Sequence, residues 1–416
     1  MRFVDEATLA ATLSALPVER PRFVASGNAG PPFELLRIAA DAVATFRLFM
    51  LNAPTGIPVR PGIALETPFV GAGMRDQPEL HYIPARLSLV PNLFAGSRPP
   101  DVVLVHTSMP YDGSVSMGCE VNILPAAIEA VRSRGGLVVA QVNPNMPYTY
   151  GDGVLGLNEV DLALEVDRPL PNPAYGAGNA TTEEIGARVS TLIPDSATLQ
   201  LGIGAIPDAV VAALHDRRGL RIWSEMFSDG VLELDRTGQL DRGHQLVASF
   251  CFGSRAVYEF VHRNPQVRLL RTERTNDPAV ISRNPRMVSI NSALQVDLFC
   301  QANASRRPSL GRASRIYSGF GGQTDFVVGA MHSLGGQAII ALPSWHQRAD
   351  VSTIVPLVDG PVTSFQQTHI VSEQGGAAVW GASQAQQARS LIDQVAHPRV
   401  REELTEEARA LGLVSR

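Results

Sequence analysis

Hydrophobic and polar positions fall into two recurring patterns along the chain. Asp101-Val-Val-Leu-Val-His106 and Gly136-Leu-Val-Val-Ala-Gln-Val142 are apolar almost throughout, and between them Leu124 to Arg132 carries apolar residues at helical spacing. A run without polar alternation reads as a strand covered on both faces, and the helix between two such runs reads as a crossover. A second series begins near Thr181, with a helix over Glu183 to Leu192, a strand over Thr198 to Leu201 and another over Gly219 to Trp223. From Ser383 to Leu413, Arg389, Glu402, Glu406 and Arg409 are spaced among Leu391, Ile392, Val400, Leu404 and Leu411, which predicts amphipathic helices on the second domain. The predicted class is α/β, with mostly parallel sheets.

A length of 416 residues exceeds the roughly 250–300 at which one core stops growing, so two or three domains are expected. The segment from Asp167 to Asn179 is dense in proline and glycine and reads as the linker, dividing the chain into 1–178 and 179–416. Hydrophobic residues make up 45% and charged residues 18%, the balance of a soluble chain with large cores. The net charge of −5 is spread along the chain, so neither nucleic acid nor an anionic membrane is an expected partner. No apolar stretch reaches the roughly 18 residues of a membrane span, and Asp5 and Glu6 stand where a signal peptide would be basic. A cytoplasmic location is expected.

Three absences narrow the chemistry. The chain has no lysine, which excludes a pyridoxal Schiff base, a lysine general base and a P-loop. Cys119, Cys251 and Cys300 are odd in number and far apart in sequence, so neither a disulfide framework nor a zinc cluster is expected. The nine histidines form no metal motif, and Ser114, Ser116 and Ser224 lack a nucleophile-elbow context.

The most pointed local pattern is Leu199-Gln-Leu-Gly-Ile-Gly-Ala-Ile-Pro-Asp-Ala-Val210. A strand enters Gly202 and Gly204, and Pro207 sits in the first turn of the helix that follows, a geometry in which backbone N–H groups face an anion or a thioester oxygen. The spacing is a near miss to the dinucleotide fingerprint, and Glu225 follows Gly202 by 23 positions, about where a Rossmann fold places its ribose-binding carboxylate. On these features a nicotinamide or flavin enzyme and a bare structural turn both stay open.

The surrounding text favours a different reading. Trp223-Ser-Glu-Met-Phe-Ser-Asp-Gly230 resembles the catalytic-glutamate segment of the acetyl-CoA hydrolase/transferase family, and Leu199 to Pro207 resembles that family's CoA-contacting loop. The resemblance continues in Tyr82-Ile-Pro-Ala-Arg-Leu-Ser88, Val142-Asn-Pro-Asn-Met-Pro-Tyr-Thr-Tyr-Gly-Asp152, Asn276-Asp-Pro278, Ser289-Ile-Asn-Ser-Ala-Leu-Gln-Val-Asp297 and Gly319-Phe-Gly-Gly-Gln-Thr-Asp-Phe326. It implies two open, mostly parallel α/β domains of CoA-transferase type with the active site in the cleft between them, Glu225 being carried by the second. It also implies a homo-oligomer, an acyl-CoA and a small carboxylic acid as substrates, coenzyme A as the carrier, and neither metal nor nicotinamide.

The implied catalytic residue is Glu225, a carboxylate already ionised at neutral pH and needing no base. It would form an acyl-glutamyl anhydride and then a glutamyl-CoA thioester. Implied CoA contacts are Gly202, Ile203, Gly204, Ala205 and Ile206 in the first loop, Gly321 and Gly322 in the second, and Asn276. Asn143 and Asn145 read as a structural loop. Hydrolysis at the same site, and an acyl-CoA binding protein without turnover, stand as alternatives. The chain departs from the family where Ser372-Glu-Gln-Gly-Gly-Ala-Ala-Val-Trp-Gly381 replaces T-E-Y-G-V-A-x-L-R-G, and where Ser352-Thr-Ile-Val-Pro356 lacks the usual arginine. Gln374 thus stands where an aromatic is usual, which predicts a changed acid pocket.

Overall fold

A computed structural model describes residues 1–172, 178–307 and 315–414. The chain forms two compact units that do not follow its order: Met1–Pro173, Glu225–Asp229 and Gln245–Thr275 make the first, and Ala174–Ser224, Gly230–His244 and Asn276–Arg416 the second. The division expected near residue 178 therefore misses two returns of the chain to the first unit, one of which contains Glu225. Residues 173–177 of the expected linker lie outside the described residues.

The first unit is built on a sheet of eight strands: β1 (Arg2–Phe3), β2 (Arg22–Ala25), β3 (Phe46–Phe49), β4 (Ile63–Thr67), β5 (Leu80–Tyr82), β6 (Val102–Thr107), β7 (Leu137–Val142) and β8 (Leu162–Glu165). Their spatial order is β1-β8-β7-β6-β2-β3-β4-β5, and each adjacent pair is parallel. All six residues of β6 are buried, as a strand covered on both faces requires, whereas the edge strands β1 and β5 are short and more exposed. After β2 the chain builds outward on one side, through β3 to β5, and then crosses to the other side of β2 with β6. Such a reversal opens a crevice at the carboxyl ends of the two strands, the usual ligand position in an open α/β sheet. The predicted crossover helix is present as α1 (Leu124–Ser133).

The second unit contains β9 (Thr198–Gln200), β10 (Arg221–Ile222), β11 (Met287–Asn291), β12 (Gln337–Ala341), β13 (His369–Val371) and β14 (Gly376–Ala378), in the order β10-β9-β11-β12-β13-β14. Only the β13–β14 pair is antiparallel. The order reverses at β9, between β10 and β11. Helices α2 (Ala180–Thr191) and α3 (Ala205–Ala212) flank β9, and they approach closely: a Cβ on Gly186 would lie 2.5 Å from the backbone of Ala209. The predicted C-terminal helices are α4 (Gln384–Ser390) and α5 (Arg401–Ala410). Their Ala388, Leu404 and Ala408 pack with Leu391 and Val395 onto Val296, Ile340 and Ile370.

Candidate active site

Glu225 lies where the chain leaves the second unit. Before it, Trp223 N–H donates to Leu199 C=O (3.1 Å), and Ser224 Oγ donates to Leu201 C=O (3.1 Å) and accepts from Leu201 N–H (3.3 Å). Ser224 is therefore a brace on β9 rather than a nucleophile. From Glu225 on, the chain belongs to the first unit. The Glu225 carbonyl accepts from Ser249 N–H (2.8 Å), Ser249 Oγ (3.1 Å) and Phe250 N–H (3.2 Å), and Met226–Phe227 pairs in parallel with Phe250–Cys251. Three donors on one carbonyl fix the backbone of Glu225, and its side chain is half-buried.

The segment 249–251, which contains that strand, is gripped on its other edge by residues that sequence reading passed over. Ser249 C=O accepts from Val121 N–H (3.1 Å) and Asn122 N–H (3.0 Å), and Cys251 N–H donates to Cys119 C=O (2.9 Å). Between them, Glu120 forms a bridge to Phe250 and is 1% exposed. Its Oε1 accepts from the amides of Asn28 (2.8 Å) and Asn122, and Asn52 Nδ2 in turn donates to Asn28 Oδ1 (2.9 Å). Burial pushes the Glu120 carboxyl up to about 7, and the charge of Glu225 acts in the same direction. Cys119 and Cys251, 132 positions apart in sequence, are both buried, and their side chains meet here as thiols. Nothing in the local text around Gly118-Cys-Glu-Val-Asn122 signals this arrangement.

At the reversal of the first sheet, a cavity of about 450 Å³ is lined by Ala29, Phe33, His106, Gln141 and Arg168 among others. Gln141 Oε1 accepts from Glu34 N–H (3.0 Å) and Asn143 Oδ1 from Asn145 N–H (3.1 Å), so both amides turn their NH₂ groups to His106 Nε2, at 3.3 and 3.0 Å. Nε2 is thus the acceptor and the ring proton sits on Nδ1. Burial pushes the His106 pKa down to about 4, and the ring is neutral. Asn143 and Asn145 hold a loop, as expected: Asn143 Nδ2 also donates to Arg168 C=O (2.8 Å).

The glycine-rich loops occupy the carboxyl edge of the second sheet at its own reversal. Gly202 leaves β9, Ile203 is 43% exposed, and Gly204 caps α3. Gly204 has φ +108° and ψ −179°, a conformation essentially reserved for glycine. Ala205 and Ile206 form the first turn of α3. Asn291 Nδ2 donates to Gln200 Oε1 (3.2 Å), tying the ends of β9 and β11 together. The next residue, Ser292, accepts through its carbonyl from Gln323 Nε2 (3.3 Å), which follows Gly321 and Gly322 at the start of the helix Gln323–His332. The structure thus lines up Gly202–Ile206, Asn291, Gly321 and Gly322 along one edge. Asn276 is fully buried in the same unit. Gln374 is half-buried, and its amide donates to the Glu373 carboxylate (3.2 Å), which also accepts from Ser344 N–H (2.9 Å). Among the described residues, no His, Cys, Asp and Glu side chains gather into a group that could hold a metal, and no helix is long and apolar enough to cross a membrane.

Comparison with known proteins gives two family matches. Residues 64–171 match the acetyl-CoA hydrolase/transferase N-terminal domain and residues 253–408 the C-terminal domain. The stretch holding Gly202–Ile206 and Glu225 lies between them. The chain is 39% identical to a 4-hydroxybutyrate coenzyme A transferase of Clostridium kluyveri, over 82% of this chain and 80% of that one. It is 37% identical to a succinyl-CoA:acetate/propanoyl-CoA:succinate CoA transferase of Fasciola hepatica, over 79% and 69%. The crystal structure of a 4-hydroxybutyrate CoA-transferase from Porphyromonas gingivalis superposes with a TM-score of 0.81 at 30% identity, covering 99% of this chain and 98% of that one.

Proposed function

Because the chain belongs to the acetyl-CoA hydrolase/transferase family, we propose that it moves coenzyme A between an acyl-CoA and a small carboxylic acid, with Glu225 as the nucleophile. A Glu225 carboxylate oxygen attacks the thioester carbonyl; the C–O bond forms, the C–S bond breaks, and a mixed anhydride and CoA thiolate result. The thiolate attacks the glutamyl carbonyl, which forms glutamyl-CoA and releases the first acid as its carboxylate. A second carboxylate then attacks glutamyl-CoA, expelling thiolate and forming a new anhydride. Attack of thiolate on the new acyl carbonyl yields the second acyl-CoA and regenerates Glu225. No step needs a proton donor or a base, which suits a chain without lysine and a neutral, buried His106.

The observation that carries this reading is the fixed backbone of Glu225, whose carbonyl accepts three hydrogen bonds within a segment that resembles the family's catalytic stretch. A nucleophile held in this way loses little freedom on reaching the transition state. We assign CoA contacts to Gly202, Ile203, Gly204, Ala205, Ile206, Asn276, Gly321 and Gly322. The loop positions at the carboxyl edge of the second sheet, beside its reversal, support this assignment for Gly202–Ile206, Gly321 and Gly322, while Asn276 rests on the resemblance of Asn276-Asp-Pro278 alone.

Glu225→Ala should reduce transfer from an acyl-CoA to an acceptor acid by at least about a thousandfold while the melting temperature stays near that of the wild type, as removal of a covalent nucleophile requires. Retention of wild-type transfer would remove Glu225 from the mechanism. The family's own description also includes hydrolysis, in which water replaces the second acid at glutamyl-CoA. Measuring free CoA with and without acceptor acid distinguishes the two outcomes.

A further inference from the structure

Two deeply buried glutamates of the first unit are treated in opposite ways. Glu66 is paired with Arg22 (2.8 Å) and Arg98 (2.7 Å), so its charge is met by cations. Glu120 is met by amides. Its Oε1 accepts from Asn28 and Asn122, the Gly27 N–H is turned toward the carboxyl, and among the described residues Oε2 has no hydrogen-bond partner. An ionised carboxylate is acceptor-only at both oxygens, and leaving one buried and unpaired is costly. A proton on Oε2 removes that charge and keeps both amide bonds at Oε1.

The groups held by Glu120 are themselves constrained. Asn28, Asn52 and Asn122 all have positive φ, at 42°, 43° and 22°, a region that asparagine tolerates better than most residues. Gly27 admits no side chain, since a Cβ there would lie 1.8 Å from Leu51 O, and a Cβ on Gly30 would lie 3.0 Å from that of Glu120. The Gly27–Gly30 turn at the carboxyl end of β2 is therefore wedged against Glu120. On its other side, Glu120 shares the segment 249–251 with the backbone of Glu225.

We propose that Glu120 is a positioning residue for the reaction: as the neutral acid, it clamps the Gly27–Gly30 turn and the Asn122 turn to the strand that supports Glu225, and its ionisation opposes the anionic reactants. The proposal rests on the reading of Glu225 as nucleophile. Among the described residues, the titratable groups around Glu120 are Glu225 and the thiols of Cys119 and Cys251; burial holds the Cys251 thiol well above its ordinary range, so it stays neutral. With the Glu120 carboxyl pushed up to about 7, its proton is lost near neutral pH. That places a second negative charge near the carboxylate that must meet a thioester, an acid and a thiolate.

The test is the pH profile of kcat/KM for the full-length wild type, Glu120→Gln and Glu120→Ala. Wild-type kcat/KM should fall as pH rises through about 7. Glu120→Gln, which copies the neutral acid, should keep most of the rate found at pH ~6 and show no such fall, as expected when one titrating group is removed. Glu120→Ala strands the amides of Asn28 and Asn122 and should lose roughly tenfold or more at every pH, as unpaired buried donors imply. Parallel wild-type and Gln profiles, or a Gln variant as impaired as Ala, would overturn the proposal. An infrared difference spectrum between wild type and Glu120→Gln reads the same group without turnover: a protonated-carboxyl band should be present below about pH 7 and vanish above it. Absence of that band would also overturn the proposal. If Glu225→Ala retained wild-type transfer, the nucleophile reading would fail, while the band would still report the state of Glu120.

Discussion

Two buried side chains carry opposite pH signatures. Glu120 has its folded pKa raised from 4.5 to about 7, so the folded state keeps a proton that the unfolded chain has already released; stability therefore falls as pH rises from about 4.5 to 7. His106 has its folded pKa lowered from 6.5 to about 4, so the unfolded chain binds a proton that the folded state refuses; stability is present above about 6.5 and is lost as pH falls toward 4. Each displacement corresponds to about 3 kcal/mol, and between about 4.5 and 6.5 the two oppose each other. Calorimetric melting temperatures should accordingly vary little with pH in that window for the wild type, rise with pH for Glu120→Gln, and fall with pH for His106→Gln. Identical profiles for the three proteins would contradict both assignments. Neither residue was legible as special in the sequence. An isolated His or Glu acquires its character from what the fold packs around it, and Asn28, which bonds Glu120, comes from 92 positions away in the chain.

Elements were readable where one segment alone decides its own conformation. The apolar runs around Val102–Thr107 and Leu137–Val142 form central strands, and the helical spacing of Leu124–Ser133 forms the crossover between them. The two-residue strands at Met226–Phe227 and Phe250–Cys251 were not readable, since pairing over a long sequence separation is what makes them strands. Two glycines separate packing from function at this scale. Gly186 faces the backbone of Ala209 at 2.5 Å, so Gly186→Val should push α2 from α3 and cost about 1–3 kcal/mol by overpacking, read as a lowered denaturation midpoint. A Cβ on Gly204 would meet nothing within 4 Å, and only its φ of +108° opposes a side chain. Gly204→Ala should therefore cost about 1–3 kcal/mol through strain or through rearrangement of the loop. If that loop holds CoA, the KM for acyl-CoA should rise by more than kcat falls; an unchanged KM would take the loop out of the CoA site.

At the scale of the whole molecule, the α/β class followed from periodicity, and length gave an expectation of two or three domains, but the assignment of segments to units was not legible. Chain order gives Glu225 to the second half, whereas its hydrogen bonds to Ser249 and Phe250 give it to the first unit. A linker is visible as composition. A chain that leaves one unit and returns to it for five residues is visible only through its contacts. The central claim concerns one covalent bond, and intact-protein mass spectrometry tests it most directly. Wild-type protein mixed with an acyl-CoA in the absence of acceptor acid should gain the mass of CoA less one water, the adduct should map to the peptide containing Glu225, and Glu225→Ala should gain nothing. An unmodified wild-type protein that still transfers CoA, or an adduct that survives in Glu225→Ala, would contradict the account.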